Sequence, residues 1–209
     1  MLLVQQNIDS WQPGRFPDAL ARAQDLTING IVAADGAPID AVVWSETALR
    51  RPYHPDAPFY REEPQALPFR LFLDLIDAPL VTGAPMPAGS DGRDATNSAL
   101  VIASDGSILG TYGKQQLVPF AESIPFWDVP AVQGFFREVI GLYGTWVPGS
   151  GSEPLPIPLA DGTTLLAGTP ICFEDAFGWV PREMVRAGAE VLVNLTNNSW
   201  SQTVSAQIQ

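Results

Sequence analysis

Apolar and polar positions along this chain fall into short runs with different periods. Leu2-Leu3-Val4, Ala41-Val42-Val43-Trp44 and residues 80–84 are continuous apolar stretches of strand length, the pattern of strands buried on both faces. Residues 17–28 carry Leu20, Ala21, Ala23 and Leu26 behind Pro17 and Asp18, which predicts a helix. Leu67, Leu71, Phe72 and Leu75 predict a second helix over 65–75, and residues 131–142 and 181–186 a third and fourth. Asp105-Gly106 between the apolar runs 96–103 and 108–112 is a strong hairpin signal. Asp161-Gly162 between 155–159 and 163–168 is a second, and 191–195 reads as a further strand. Residues 50–64, rich in Pro, Arg, Asp and Glu, read as a surface loop. Residues 85–94, 148–156 and 197–209 are expected to be mobile connections. Strands outnumber helices, and hairpins mix with helical crossovers. The expected fold class is α/β or α+β, in layers around mixed sheets, as one domain over 1–209. The last buried strand is followed by a single polar segment ending at Gln209, so the fold is expected either to be incomplete at the C-terminus or to have that edge covered by another chain.

Composition narrows the function. The net charge of −12 argues against a nucleic-acid partner, which needs a basic surface, and against simple adhesion to anionic lipid. No signal peptide and no long apolar run is present, so a soluble domain is expected. One cysteine and one histidine leave only carboxylates as metal ligands, a poor metal site, and no glycine-rich phosphate loop occurs; neither metal nor cofactor is expected. His54 lies in the charged loop, which disfavours a Ser/His/Asp triad.

Cys172, the one cysteine, sits where the apolar run 163–167 gives way to a loop and helix. A cysteine there is either a nucleophile awaiting a base or a small buried hydrophobe. Glu46 directly follows the strand 41–44, where a carboxylate is either a general base or an ordinary surface group. Lys114, the single lysine, follows the strand 108–112 by one glycine. It is either solvated or a core-facing cation in need of a carboxylate, able to stabilise an oxyanion. Glu122, in an apolar loop, and Glu174, two residues past Cys172, could each hold Lys114, steer Cys172, or lie exposed.

Glu46, Lys114 and Cys172, in that order, resemble the Glu-Lys-Cys triad of the nitrilase, or carbon–nitrogen hydrolase, superfamily. The strings Val43-Trp44-Ser45-Glu46-Thr47-Ala48, residues 112–125 (YGKQQLVPFAESIP) and Ile171-Cys172-Phe173-Glu174 resemble its apolipoprotein N-acyltransferase branch. So do Thr96-Asn97-Ser98-Ala99 and Asn197-Asn198-Ser199-Trp200. The branch usually has proline where Ser45 stands. The resemblance implies a nitrilase-like αββα sandwich. It implies transfer of a fatty acyl chain from a phospholipid donor to the N-terminal amine of a diacylated lipoprotein acceptor. Cys172 would carry the acyl group as a thioester, Glu46 would be the base, and Lys114 would hold the oxyanion. Glu122 would order Lys114, Glu174 would shape acyl entry, and Asn97 and Trp200 would meet substrate. It implies a domain held at the extracytoplasmic (periplasmic) face of the bacterial inner membrane by transmembrane helices that this stretch lacks. The same triad also serves a soluble amidase acting on a small amide, and a catalytically silent fragment is a third reading.

Overall fold

A computed structural model of the chain describes residues 1–8, 14–88, 94–135, 138 and 146–199, and the backbone of 200 and 201. Five strands form the first sheet in sequential order: β1 (Leu2–Val4), β2 (Val42–Trp44), β3 (Leu80–Ala88), β4 (Asp94–Ile102) and β5 (Ile108–Gly113). β1, β2 and β3 are parallel, and β3, β4 and β5 antiparallel. The second sheet pairs β6 (Leu155–Pro158) antiparallel to β7 (Thr164–Gly168), and β7 parallel to β8 (Val191–Leu192). Both hairpins turn where Asp-Gly predicted. Gly106 and Gly162 take the left-handed φ of 80° and 84°, and Asp105 and Asp161 each accept the backbone N–H two residues on.

Alternation along the central strands builds two cores. Val42 and Trp44, Leu80 and Ala84, and Leu100 and Ile102 face one side of the first sheet. There they meet α1 (Phe16–Ala33) through Leu20 and Ala23, and α3 (Phe69–Ile76) through Phe69, Phe72 and Leu73. Val43, Val81, Ala99 and Val101 face the other way and pack on Leu155, Ile157, Ala167 and Ile171 of the second sheet. α5 (Trp179–Arg186) covers the far side of that sheet; a Cβ on Gly168 would lie 3.0 Å from Met184 Cβ. The order is helix, sheet, sheet, helix, as the α/β expectation held. Trp44, fully buried, donates its Nε1–H to Thr27 Oγ1 at 2.9 Å, so its one polar atom is satisfied within the apolar layer.

Several expectations need correction. Residues 50–64 are not simply a surface loop: they contain α2 (Pro58–Glu62), and Tyr53 and Tyr60 are buried against Phe69. Each tyrosine hydroxyl donates to a backbone carbonyl, of Gly106 and Arg51 respectively. Composition hid this because the aromatic anchors stand among charged residues. In α3 the buried face is Phe69, Phe72, Leu73 and Ile76, while Leu71 and Leu75 point outward, so the apolar spacing had the right period and the wrong phase. β3 continues to Ala88, overlapping the expected loop 85–94. Pro85 and Pro87 fit there because β2 pairs only with Leu80 and Val81, leaving that end of β3 bonded on one side. The predicted strand 191–195 is two residues long, followed by a lone parallel bridge between Ile171 and Leu195. Of the helix expected over 131–142, α4 (Pro130–Phe135) is present; Phe136 and most of the remainder lie outside the described residues.

Gly83 fixes where β2 ends. Its N–H donates to Ser45 O at 3.3 Å, and a Cβ there would fall 2.3 Å from Thr47 N and 2.8 Å from Glu46 Cα. Gly83→Ala is therefore expected to cost about 2 kcal/mol or more, as overpacking against unyielding backbone does. Urea unfolding would show a lower midpoint at unchanged slope; an unchanged midpoint would mean the turn after β2 is free to shift.

Candidate active site

Three strand ends converge on one point. Glu46 leaves the C-terminal end of β2, Lys114 that of β5, and Cys172 follows β7 at the start of a 3-10 turn, Cys172–Ala176. Asn97 of β4 stands beside Lys114, because the Lys114 N–H donates to Asn97 O at 2.8 Å.

Lys114 is fully buried. Its Nζ lies 2.8 Å from Glu122 Oε2 and 3.5 Å from Glu46 Oε1, with both carboxylates mostly buried. A buried ammonium is tolerable only with such partners. Burial alone would lower its pKa, but the two carboxylates outweigh burial and hold it above the ordinary lysine range. The Asn97 amide donates to Glu46 Oε1 at 2.9 Å and to Glu122 Oε1 at 3.1 Å, which separates two negative groups and sets the amide's orientation. Asn97 Oδ1 has no protein partner among the described residues. Glu122 is held in turn by the Val118 N–H at 2.8 Å, inside a tight loop whose Val118 carbonyl accepts N–H groups from 121, 122 and 123. That loop and the segment after it present Phe120 and Phe126 to solvent, both at left-handed φ.

Cys172 is half-buried, at a left-handed φ of 51°, a conformation that side chains other than glycine adopt at a cost. Its thiol sits beside the Glu46 carboxylate and the Thr196 side chain. Burial, and then the negative charge of Glu46, push its pKa to about 11, against a smaller lowering by Lys114. Burial likewise raises the Glu46 carboxyl, opposed first by Lys114. A base with a raised pKa beside a protonated thiol is suited to take that proton during attack.

Glu174 occupies a different place. It is fully buried and touches neither Lys114 nor Cys172 through any described hydrogen bond. Its carboxylate accepts from Tyr112 Oη at 2.9 Å, Gln115 N at 2.7 Å, Gln116 N at 3.1 Å and Ile171 N at 2.8 Å. One carboxylate thus ties the segment after Lys114 to the residue before Cys172. The Trp200 side chain lies outside the described residues; its backbone is in the 3-10 turn Asn198–Ser201. Thr196 and Tyr112 were not singled out from sequence. The signal for Thr196 was its place just past the run 191–195; that for Tyr112 was its inward position two residues before Lys114.

Two outcomes follow from this geometry. The folded state keeps the Cys172 proton above the ordinary 9.0, so alkylation by iodoacetamide should rise with a midpoint near pH 11 in native protein and near 9 in denaturant. By the same linkage this group makes the fold less stable as pH climbs through that window. A native midpoint at or below 9 would contradict the burial argument. Glu174→Gln turns an acceptor of four donors into an amide facing N–H groups, and should cost about 3 kcal/mol in urea unfolding. Tyr112→Phe, which removes one donor, should cost about 1 kcal/mol; equal losses would show that the carboxylate does not bridge the segments.

Comparison with known proteins bears on this arrangement. The carbon–nitrogen hydrolase family profile matches residues 4–209. The chain is 41% identical over 208 residues to apolipoprotein N-acyltransferase 2 of Treponema denticola, covering 100% of this chain and 39% of that protein. It is 36% identical over 231 residues to apolipoprotein N-acyltransferase 2 of Treponema pallidum, covering 100% of this chain and 41% of that one. The chain thus spans about two fifths of the length of these relatives. Among solved structures, the C. elegans NitFhit protein superposes with a TM-score of 0.60 at 18% identity, over 93% of this chain and 42% of that one. A carbon–nitrogen hydrolase from Helicobacter pylori superposes with a TM-score of 0.56 at 19% identity, over 94% of this chain and 58% of that one. Those two likenesses bear out the layered α/β fold, and with a profile match across nearly its whole length this chain belongs to the carbon–nitrogen hydrolase family.

Proposed function

We propose that this chain is the acyl-transferring domain of an apolipoprotein N-acyltransferase, with Cys172 as acyl carrier. The observation that carries the reading is a half-buried cysteine thiol beside the Glu46 carboxylate, with the buried Lys114 ammonium paired to that same carboxylate at 3.5 Å. The kinship with the Treponema acyltransferases supports the choice of substrate class.

In the first half-reaction Glu46 takes the Cys172 proton as the sulfur attacks the ester carbonyl of a phospholipid. Negative charge moves to the carbonyl oxygen. The Lys114 ammonium, paired with Glu122 and more loosely with Glu46 at 3.5 Å, is the positive group at hand to meet that oxygen. The intermediate collapses, Glu46 returns the proton to the departing lysophospholipid alkoxide, and a thioester remains on Cys172. In the second half-reaction the N-terminal amine of a diacylated lipoprotein attacks the thioester. Glu46 accepts a proton from the amine and delivers it to the leaving sulfur, giving an amide and the resting thiol. Glu122 keeps Lys114 aimed, Asn97 spaces the carboxylates, and Glu174 sets the two loops. Phe120 and Phe126, 65% and 75% exposed on the loop that carries Glu122 and the segment after it, offer apolar surface suited to fatty chains.

Site of action belongs to the same proposal. None of the described helices is long and apolar enough to cross a membrane. The chain would work at the extracytoplasmic face of the bacterial inner membrane, held there by transmembrane segments of the whole protein.

Intact mass after incubation with phospholipid in detergent micelles tests the reading. The expected product is a hydroxylamine-labile fatty-acyl adduct on the parent and none on Cys172→Ala. Ammonia released from small amides without such an adduct would instead support an amidase. No reaction with either donor would remove the catalytic claim.

A further inference from the structure

The register beyond β7 and β8 brings a second polar side chain to the sulfur. Leu195 N–H donates to Pro170 O at 3.0 Å, and Cys172 N–H donates to Leu195 O at 2.9 Å. This parallel bridge between Ile171 and Leu195 seats residue 196 alongside residue 172. The Thr196 hydroxyl lies beside the Cys172 sulfur, and with the thiol protonated it donates to Asn198 Oδ1 at 3.4 Å.

The nucleophile has few other donors. Its own backbone N–H is committed to Leu195 O, and two carboxylates compete for the Lys114 ammonium. Glu46 can only accept while ionised, and the one O–H it gains with the sulfur's proton is the proton it must later give to the leaving group. Thr196 is the neutral O–H donor in contact with sulfur. A hydroxyl has one proton to give, so it serves one acceptor at a time. A thiolate is a far stronger acceptor than a carbonyl oxygen at 3.4 Å, whereas a thioester sulfur is a poor one.

We propose that Thr196 is a further catalytic residue: its hydroxyl holds the Cys172 thiolate, and turns to Asn198 Oδ1 while the sulfur is acylated. No proton is transferred by Thr196 itself. The thiol proton goes to Glu46, the S–C bond forms at the substrate carbonyl, and the Thr196 O–H reorients. When the amine displaces the sulfur, the O–H returns to the departing thiolate. The catalytic part of this inference rests on Cys172 as acyl carrier; the donor role toward sulfur does not.

Iodoacetamide alkylation of Cys172 at pH 9, followed by intact mass, tests the donor role without any acyl substrate. Thr196→Val keeps the shape and removes the O–H. Losing a hydrogen bond to a charged sulfur should cut the thiolate fraction about tenfold, and the greater nucleophilicity of the less stabilised thiolate should offset roughly half of that on a logarithmic scale. The expected rate is about threefold below the parent, with the pH midpoint moved upward. Thr196→Ser should restore the parental rate, which a purely steric role for the methyl group would not. Circular dichroism reports the fold; if the valine variant does not fold, Thr196→Ala carries the same comparison. Folded hydroxyl-free variants that alkylate as fast as the parent, or a serine variant as slow as valine, would overturn the proposal. Absence of a phospholipid adduct on the parent would sink the acyltransferase reading and leave these rates unaffected.

Discussion

A single ammonium with no access to water sets the terms for this site. Lys114 is fully buried, and its desolvation is repaid only by carboxylates at 2.8 Å and 3.5 Å. That demand reaches outward. Glu122 must come back from eight residues along the chain, so its loop is tightly turned around Val118. Glu46 must arrive from the far side of the sheet, so β2 must end where Gly83 allows the backbone to pass. Asn97 must stand between the two carboxylates, which the β4–β5 register supplies. The ion cluster is costly as a stability device; what it leaves is a buried ammonium, two carboxylates and a half-buried thiol close together.

The resting thiol is kept protonated. Burial and the Glu46 charge outweigh the attraction of Lys114 for the anion. The site therefore does not store a thiolate; on the proposed mechanism, deprotonation belongs to the moment of attack, when the negative charge spreads onto a carbonyl oxygen near Lys114. The backbone at Cys172 is left-handed where the chain leaves β7, and the sulfur lies beside Glu46.

Much of this was legible from residue order. Glu46, Lys114 and Cys172 each follow an apolar run, and a polar group directly after a buried strand has few places to go. The hairpins were legible because Asp-Gly demands a left-handed turn. The layered fold followed from counting strands against helices. What escaped depends on phase and register. The outward set of α3, Leu71 and Leu75, has the same spacing as the buried set, so period alone could not choose between them. Tyr53 and Tyr60 were masked by charged neighbours that point outward around them. Thr196 meets Cys172 because two strands align 24 residues apart, and alignment is not written in either segment. Glu174 was visible as a residue beside the cysteine, but its four donors come partly from a segment about 60 residues away.

Those four donors have a further meaning for how the site fails. The segment following Lys114 and the entry to Cys172 share one acceptor, so neither can loosen without stripping hydrogen bonds from the other. Partial opening is penalised twice, and the two loops behave as one cooperative unit of local unfolding. A molecule that loses the lysine also loses the cysteine's setting. An opened cysteine loop beside an intact lysine segment is thereby disfavoured, and the two settings are kept or lost together.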